Sequence, residues 1–386
     1  MTTPRTPIGI DAIAFSVPDT YIEASDLAAA RGVAPEKYTK GLGVSRIAIA
    51  GPDEDPVTLA TNAARRLFLL SGRDPSEIGM CVVGTETAVD HSKPVASYVH
   101  GLLGLPAQCR VFETKHACFG ATAALLGATE WIASGAARGR SALVIATDIA
   151  RYELGTAGEP TQGAGAVAML ISERPRLVEL DVGQTGSYAR NVHDFWRPLH
   201  RKDALVDGHF SVECYLDALE GAYTDWKASA RDAAPSELAR SCYPFSAQIG
   251  NVYTASLYLS LASLLAAEAT ELEGSQVGLY SYGSGCGAEF FAARVAAGAG
   301  AFARQLDLSG PLAGRRRLTV EQYEELRRAD ADADRRAIPA DRPSGVDDLR
   351  AATAPGPDDH AVYLGVDHSE RRIYGNVERV AQRRVA

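Results

Sequence analysis

Short apolar runs alternate along the chain with longer stretches in which small and apolar residues recur at helical spacing. GIDAIAFSVP near the start reads as a strand, and IGMCVVGTE (78–86) as a buried strand ending in an acid. CRVFET (109–114) and SALVIATDIA (141–150, with Asp148 near its end) read as further strands. HACFGATAALLGATEWIAS between them reads as a helix, and GAVAMLIS (165–172) as a strand behind the Gly-rich turn EPTQGAG. The remainder follows a related order. ELDVGQTGSYA predicts a strand, residues 249–269 a turn entering a long helix, and residues 276–295 a strand, a Gly-rich turn and then a strand or helix. The strands at 141–148 and 276–282 each follow a buried helix, so the pattern predicts an α/β fold made of two related halves, 1–172 and 173–386. Residues 329–359, rich in Ala, Asp, Arg and Pro, read as an exposed excursion, followed by a closing pair of strands.

The bulk numbers narrow the function. A chain of 386 residues with 46% hydrophobic and 23% charged residues suits two packed lobes of a globular protein. The net charge of -9 argues against nucleic-acid binding. No apolar run is long enough to span a membrane, and MTTPRTPIGI carries no signal-peptide core, so a cytoplasmic location is expected. Six scattered cysteines form no metal-ligand spacing, which predicts reduced thiols and no metal.

Two residues stand out for chemistry. Cys118, in ETKHACFGATAAL, lies after a strand at the first turn of a helix. A helix N-terminus favours a thiolate, the attacking form, although a lone Cys in an apolar run is more often an inert core group. Glu86 ends a buried strand, where partial burial would lift its pKa toward a useful acid/base range; the alternative is a loop acid acting as a cap.

The segments GTETAVDHSKPVA, ETKHACFGATAAL, ALVIATDIARYELGTAGEPTQGAGAVAMLI, HDFWRP, IGNVYTASLYLSLASLL and YSYGSGCGAEFF resemble, in this order, those of 3-hydroxy-3-methylglutaryl-CoA synthases of the thiolase superfamily. SYGSGCGAEFF is most similar to the branch that installs β-branches on polyketide chains held by acyl carrier proteins. The resemblance covers most of residues 8–297. It implies a duplicated βαβαβαββ fold in five αβαβα layers and a homodimer. It implies acyl-CoA or a phosphopantetheine thioester on a carrier protein as substrate and partner, with no bound cofactor. In that frame Cys118 takes an acyl group and Glu86 moves the proton of the acyl methyl group. Asn251, Ser284 and Tyr152 line the substrate site, Phe119 shapes it, and the N–H groups of Cys118 and of Gly283 or Ser284 form an oxyanion hole.

One departure changes the expectation. The family's catalytic His stands in a His-x-Pro-Phe motif, whereas here Pro244 and Phe245 are preceded by Ser241, Cys242 and Tyr243. Only residues 246–249 separate Phe245 from Gly250, so a segment that carries CoA-binding Lys in the family is missing, and no Lys follows Lys227. His193 and His116 are candidate replacements. His200 and His209 lie in a polar stretch. Arg315, Arg316 and Arg317 are a weak candidate for docking a carrier protein. Three functions follow: aldol-type addition of the acyl group on Cys118 to a β-keto thioester, acyl transfer to an amine or hydroxyl, and a non-catalytic paralogue that binds a carrier or partner.

Overall fold

A computed structural model describes residues 6–229, 240–333 and 359–378. The chain starts with β1 (Ile8–Ser16), then makes a satellite of β2 (Thr20–Glu23), α1 (Ala24–Ala30) and β3 (Arg46–Ile49). It returns through α2 (Pro56–Ser71) to β4 (Ile78–Gly84), α3 (Val95–Leu103), β5 (Arg110–Thr114), α4 (Gly120–Ala133), β6 (Ser141–Ala150) and β7 (Gly163–Glu173). Next come β8 (Val178–Ala189), the two-residue strands β9 (Phe195–Trp196) and β10 (Leu205–Val206), and α5 (Gly208–Ser229). A single turn, α6 (Ser246–Ile249), leads to α7 (Ser256–Glu268), β11 (Gln276–Gly283) and β12 (Gly287–Val295). The chain then runs through α8 (Ala299–Gln305), β13 (Arg316–Arg317) and α9 (Val320–Ala333) to the hairpin β14 (Asp359–Val366) and β15 (Arg372–Glu378).

Eight strands form one sheet in the order β11-β12-β8-β1-β7-β6-β4-β5. β8 is the seam: Val178 and Glu179 pair with β1 while the strand also pairs along β12. Strands β4, β6 and β7 read as near-continuous apolar runs because both their faces are covered. α2 packs on β1, β6 and β7, and α4 on β4 and β6. α2 is well bounded: Asp55 and Thr58 close a capping box, Pro56 opens the helix, and Gly72 ends it in the left-handed region at φ 69°. The small residues of α4 have a steric reason, since a Cβ on Gly84 would lie 2.4 Å from Ala121.

The strands expected from the hydrophobic pattern are present, and residues 287–295 resolve to strand. The two halves correspond element by element. β1, α2, α4, β6 and β7 have counterparts in β8, α5, α7, β11 and β12, and α5 lies on β8, β12 and β11 as α2 lies on β1, β7 and β6. The duplication is nonetheless unequal. In the first half β6 is flanked by β4 and then β5, with α3 between them in sequence. Among the described residues β11 has no such neighbours. The run between α2 and α4, residues 72–119, is nearly twice the run between α5 and α7, residues 230–255.

The satellite strands β13, β2 and β3 pack with α1 and α9 around Ile22, Leu27, Ile47, Leu318 and Tyr323. The closing strands are separate from the main sheet; their hairpin lies on α2, with Arg372 and Tyr374 reaching buried Asp55 at 2.9 and 2.7 Å. The excursion expected at 329–359 falls mostly outside the described residues. No described helix is long and apolar enough to cross a membrane.

Candidate functional site

Cys118 sits in the turn between β5 and α4. Ala117 takes a positive φ of 39°, a conformation that a non-Gly residue holds only under constraint from its surroundings. The constraint comes partly from β11. A Cβ on Gly283 would lie 2.4 Å from the His116 carbonyl and 2.6 Å from Phe119 Cβ, so the end of β11 is pressed onto the turn that bears Cys118. Phe119 is the N-cap residue of α4.

Glu86 follows the end of β4. Its Oε1 accepts the Cys118 thiol proton at 3.6 Å, and its Oε2 faces Arg197 at 3.4 Å. Arg197 also donates to the Glu86 carbonyl oxygen. Beneath this pair lies fully buried Asp148. One of its oxygens accepts from Thr85 Oγ1 (2.9 Å), Glu86 N (2.9 Å), Thr87 N (3.0 Å) and Thr87 Oγ1 (2.8 Å). The other accepts from the N–H and hydroxyl of Thr254. One carboxylate thus ties the Glu86 loop to the turn that opens α7.

These surroundings set the protonation states. Burial pushes the Glu86 carboxyl up to about 8; Asp148 adds to the rise, and Arg197 and the Cys118 thiol oppose it. Burial, then Glu86 and Asp148, hold the Cys118 thiol well above its usual range. The thiolate expected from the helix N-terminus is therefore not the resting form, because two carboxyls and desolvation outweigh a partial dipole charge.

Cys118 and Phe195 each pack against a buried cluster of Ala150, Tyr152, Ala204 and Tyr253. Tyr152 is buried behind β6, with its ring against Gly158. Tyr253 holds a positive φ of 42° and has a buried hydroxyl, with its ring 5.6 Å from that of Phe195. Asn251 enters through a tight contact: Gly250, at φ 87°, leaves no room for a Cβ beside the Gln162 carbonyl. Its Oδ1 accepts from Tyr253 N (2.8 Å) and Ser256 Oγ (3.0 Å), which leaves its amide N–H groups as donors. Ser284 lies beyond Gly283 and bonds buried Asp194, which also accepts from Tyr282 (2.7 Å) and Gly285 N (3.0 Å).

The candidate replacements for the absent His lie elsewhere. His193 is exposed and stacks edge-on against Trp196 at 6.4 Å. The His116 ring lies on Gly287 and against Phe119, which fixes it to the Gly-rich turn without a hydrogen bond to the sulfur. Ser241 bonds Glu268 and Cys242 also lies near it, so both sit at the far end of α7 from Tyr253 and Thr254. A helix of this length spans about 18 Å at 1.5 Å per residue. Of the three basic residues at 315–317, Arg315 lies over Tyr21 and bonds the Gln248 carbonyl, and Arg317 pairs with Asp26. Sequence reading missed Arg197 and Thr254. The HDFWRP segment carried the signal for the first; nothing local marked the second.

Comparison with known proteins bears on the family and the fold. The family models described as hydroxymethylglutaryl-coenzyme A synthase N terminal and C terminal match residues 4–175 and residues 178–240 and 230–354. Hydroxymethylglutaryl-CoA synthase of Enterococcus faecalis is 37% identical over 353 residues, covering 83% of this chain and 91% of that protein. The human mitochondrial enzyme is 31% identical, with 83% and 81% covered. The structure of MvaS in complex with 3-hydroxy-3-methylglutaryl coenzyme A superposes with a TM-score of 0.85 at 43% identity, covering 97% of this chain and all of that one. The curacin pathway HMG synthase in complex with acetyl donor-ACP gives 0.84 at 28% identity, covering 96% of this chain and all of that one.

Proposed function

The chain belongs to the hydroxymethylglutaryl-CoA synthase family of condensing enzymes, with the thiolase-like fold, and on that premise we propose that it works through an acyl group on Cys118. The observation that carries this is the half-buried Cys118–Glu86 pair at 3.6 Å with Arg197 on the other carboxylate oxygen. The Cys118 thiol gives its proton to Glu86 as sulfur attacks the thioester carbonyl. The departing thiolate of CoA or of a carrier's phosphopantetheine takes that proton. Glu86, ionised again, removes a proton from the α-carbon of the acyl group, and the enolate adds to the ketone of a β-keto thioester. Protonation of the new alkoxide and hydrolysis from Cys118 complete the cycle. Arg197 holds the Glu86 carboxylate in line, and the Asn251 amide N–H groups are donors for a substrate carbonyl. The relatives solved with 3-hydroxy-3-methylglutaryl coenzyme A and with acetyl donor-ACP support CoA and carrier-protein thioesters as the donor classes, the latter in polyketide assembly. The outer edge of β5, where Phe112 is exposed, supports a homodimer built there.

A second reading, transfer of the acyl group to an amine or hydroxyl, draws on one observation: Ser241 and Cys242 face Glu268 and not the sulfur. The ketone then lacks an acid partner from that segment. Intact-protein mass spectrometry after mixing with acetyl-CoA, acetoacetyl-CoA, malonyl-CoA or acetyl carrier protein tests both readings. A mass gain lost in Cys118→Ala is expected, discharged by a β-keto thioester in the first reading and by an amine or alcohol in the second. No adduct from any donor would overturn both and leave a binding role.

A further inference from the structure

The hairpin that carries Arg197 stands apart from the main sheet. β9 and β10 pair with each other, Phe195 opposite Val206 and Trp196 opposite Leu205. A ladder this short cannot by itself hold a side chain in place. Yet the hairpin brings three groups to the site: Phe195 and Ala204 at the cluster around Tyr152, and Arg197 on the Glu86 carboxyl. Its base is tied through Asp194 to Tyr282 and to Gly285 N. The loop beyond that base, which holds Arg197, is tied from another element.

That element is α9. Arg327 Nη2 donates to Asp203 Oδ1 at 2.9 Å and to the Tyr152 carbonyl at 3.1 Å. The next residue, Ala204, donates its N–H to the Arg151 carbonyl at 3.1 Å. One guanidinium thus clips the Arg197 loop to the stretch after β6 that bears Tyr152. Its side chain is 12% exposed and that of Asp203 31%, so solvent screens the pair less than it screens a surface pair. The clip is not what seats the helix. One turn earlier, fully buried Tyr323 donates to Glu159 at 3.1 Å, and Glu324 pairs with Arg31 at 2.8 Å.

We infer that Arg327 is a positioning residue for acylation of Cys118, holding the Arg197 loop and the Tyr152 wall in one register. The inference rests on the acyl-Cys118 reading. Arg327 acts through Asp203 and the Tyr152 carbonyl and not on the reacting atoms. Without the clip, Arg197 moves off Glu86, and the carboxyl loses its aim at the sulfur. Arg328 supplies an internal comparison: it is 65% exposed and pairs with Glu324 on its own helix at 2.7 Å.

Single-turnover mass spectrometry of the full chain, with acetyl-CoA and separately with acetyl carrier protein, measures the acylation rate against donor concentration. Arg327→Met should lower the limiting rate by about 10- to 100-fold, the effect of a displacement of up to about 1 Å. Half-saturation should stay within about threefold, since the loss is one of alignment and not of donor binding. Arg327→Lys, whose ammonium can donate to both oxygens, should recover most of the rate. Asp203→Ala should slow acylation in the wild type and add less than about twofold in Arg327→Met, because the two share one contact. Arg328→Met should match the wild type. Hydrogen exchange in residues 197–204 should be about tenfold faster in Arg327→Met and unchanged in β6. Should Arg327→Met fail to fold, Asp203→Ala carries the same expectations with α9 untouched. The inference is overturned if Arg327→Met acylates within about twofold of the wild type, or if Arg327→Lys does no better than Arg327→Met. It is overturned equally if exchange in the loop does not change, or if Arg328→Met shows the same loss. Absence of an adduct on the wild type overturns the acyl reading instead, and exchange alone then decides whether Arg327 fixes the loop.

Discussion

At the scale of single residues, the Cys118–Glu86–Asp148 column carries the proposed chemistry, and its charges point in a testable direction. Because the Cys118 thiol hands its proton to Glu86, whose carboxyl is pushed up to about 8 and is ionised above that pH, Glu86→Gln should slow alkylation of Cys118 by iodoacetamide at about pH 9 while abolishing condensation. Faster alkylation in the variant would show that Glu86 only suppresses the thiolate, by its charge and by the hydrogen bond it accepts, and does not act as its base. Stability tests the same carboxyl. Its folded pKa of about 8 lies above the ordinary value of 4.5, so its favourable contribution is complete below about 4.5 and is lost as pH rises through 8. The melting temperature should therefore fall from pH 6 to pH 9 in the wild type and fall less in Glu86→Gln. Asp148→Ala strands donors from Thr85, Thr87 and Thr254 in the interior and should cost more than about 3 kcal/mol by denaturant unfolding. Cys118 and Glu86 were legible because each sits at a strand end in a distinctive local run. The protonation of Cys118 was not, since it depends on carboxyls that approach from other strands.

At the scale of elements, the turn that bears Cys118 is shaped by what presses on it. Gly283→Ala puts a methyl group 2.4 Å from the His116 carbonyl, so the turn must shift. A displacement of about 1 Å at a reacting atom can cost 10²-fold, and acyl-Cys formation in single-turnover mass spectrometry should fall by that order. Gly101→Ala on α3 is the control: its Cβ meets nothing within 4 Å, and the exchange should add about 0.5–1 kcal/mol of stability and leave acylation alone. Strands β1, β4, β6 and β7 could be read from the sequence because both faces are buried, which produces unbroken apolar runs. The turn at 240–245 could not. Pro244 and Phe245 survive, but the position of Ser241 and Cys242 follows from Ser241 bonding Glu268, a contact over 27 residues that no local pattern announces.

At the scale of the whole molecule, the first half carries β4, α3 and β5 between α2 and α4, where among the described residues the second has only short turns between α5 and α7. The sequence showed a missing segment after Phe245; how the sheet is ordered around it emerges only when the strands are laid out. Val212 and Leu216 are exposed among the described residues, so Leu216→Gln should change unfolding free energy by less than about 0.5 kcal/mol. The same change should delay the onset of light scattering on heating, since an exposed apolar stripe seeds association. An unchanged onset would show that this face is not where copies meet. The Asp148 tie has a consequence for how the chain can change over time: one carboxylate joins the loop after β4 to the turn before α7, so a substitution at Thr87 or Thr254 strands a group that belongs to the other segment, and the two stretches are bound to vary together.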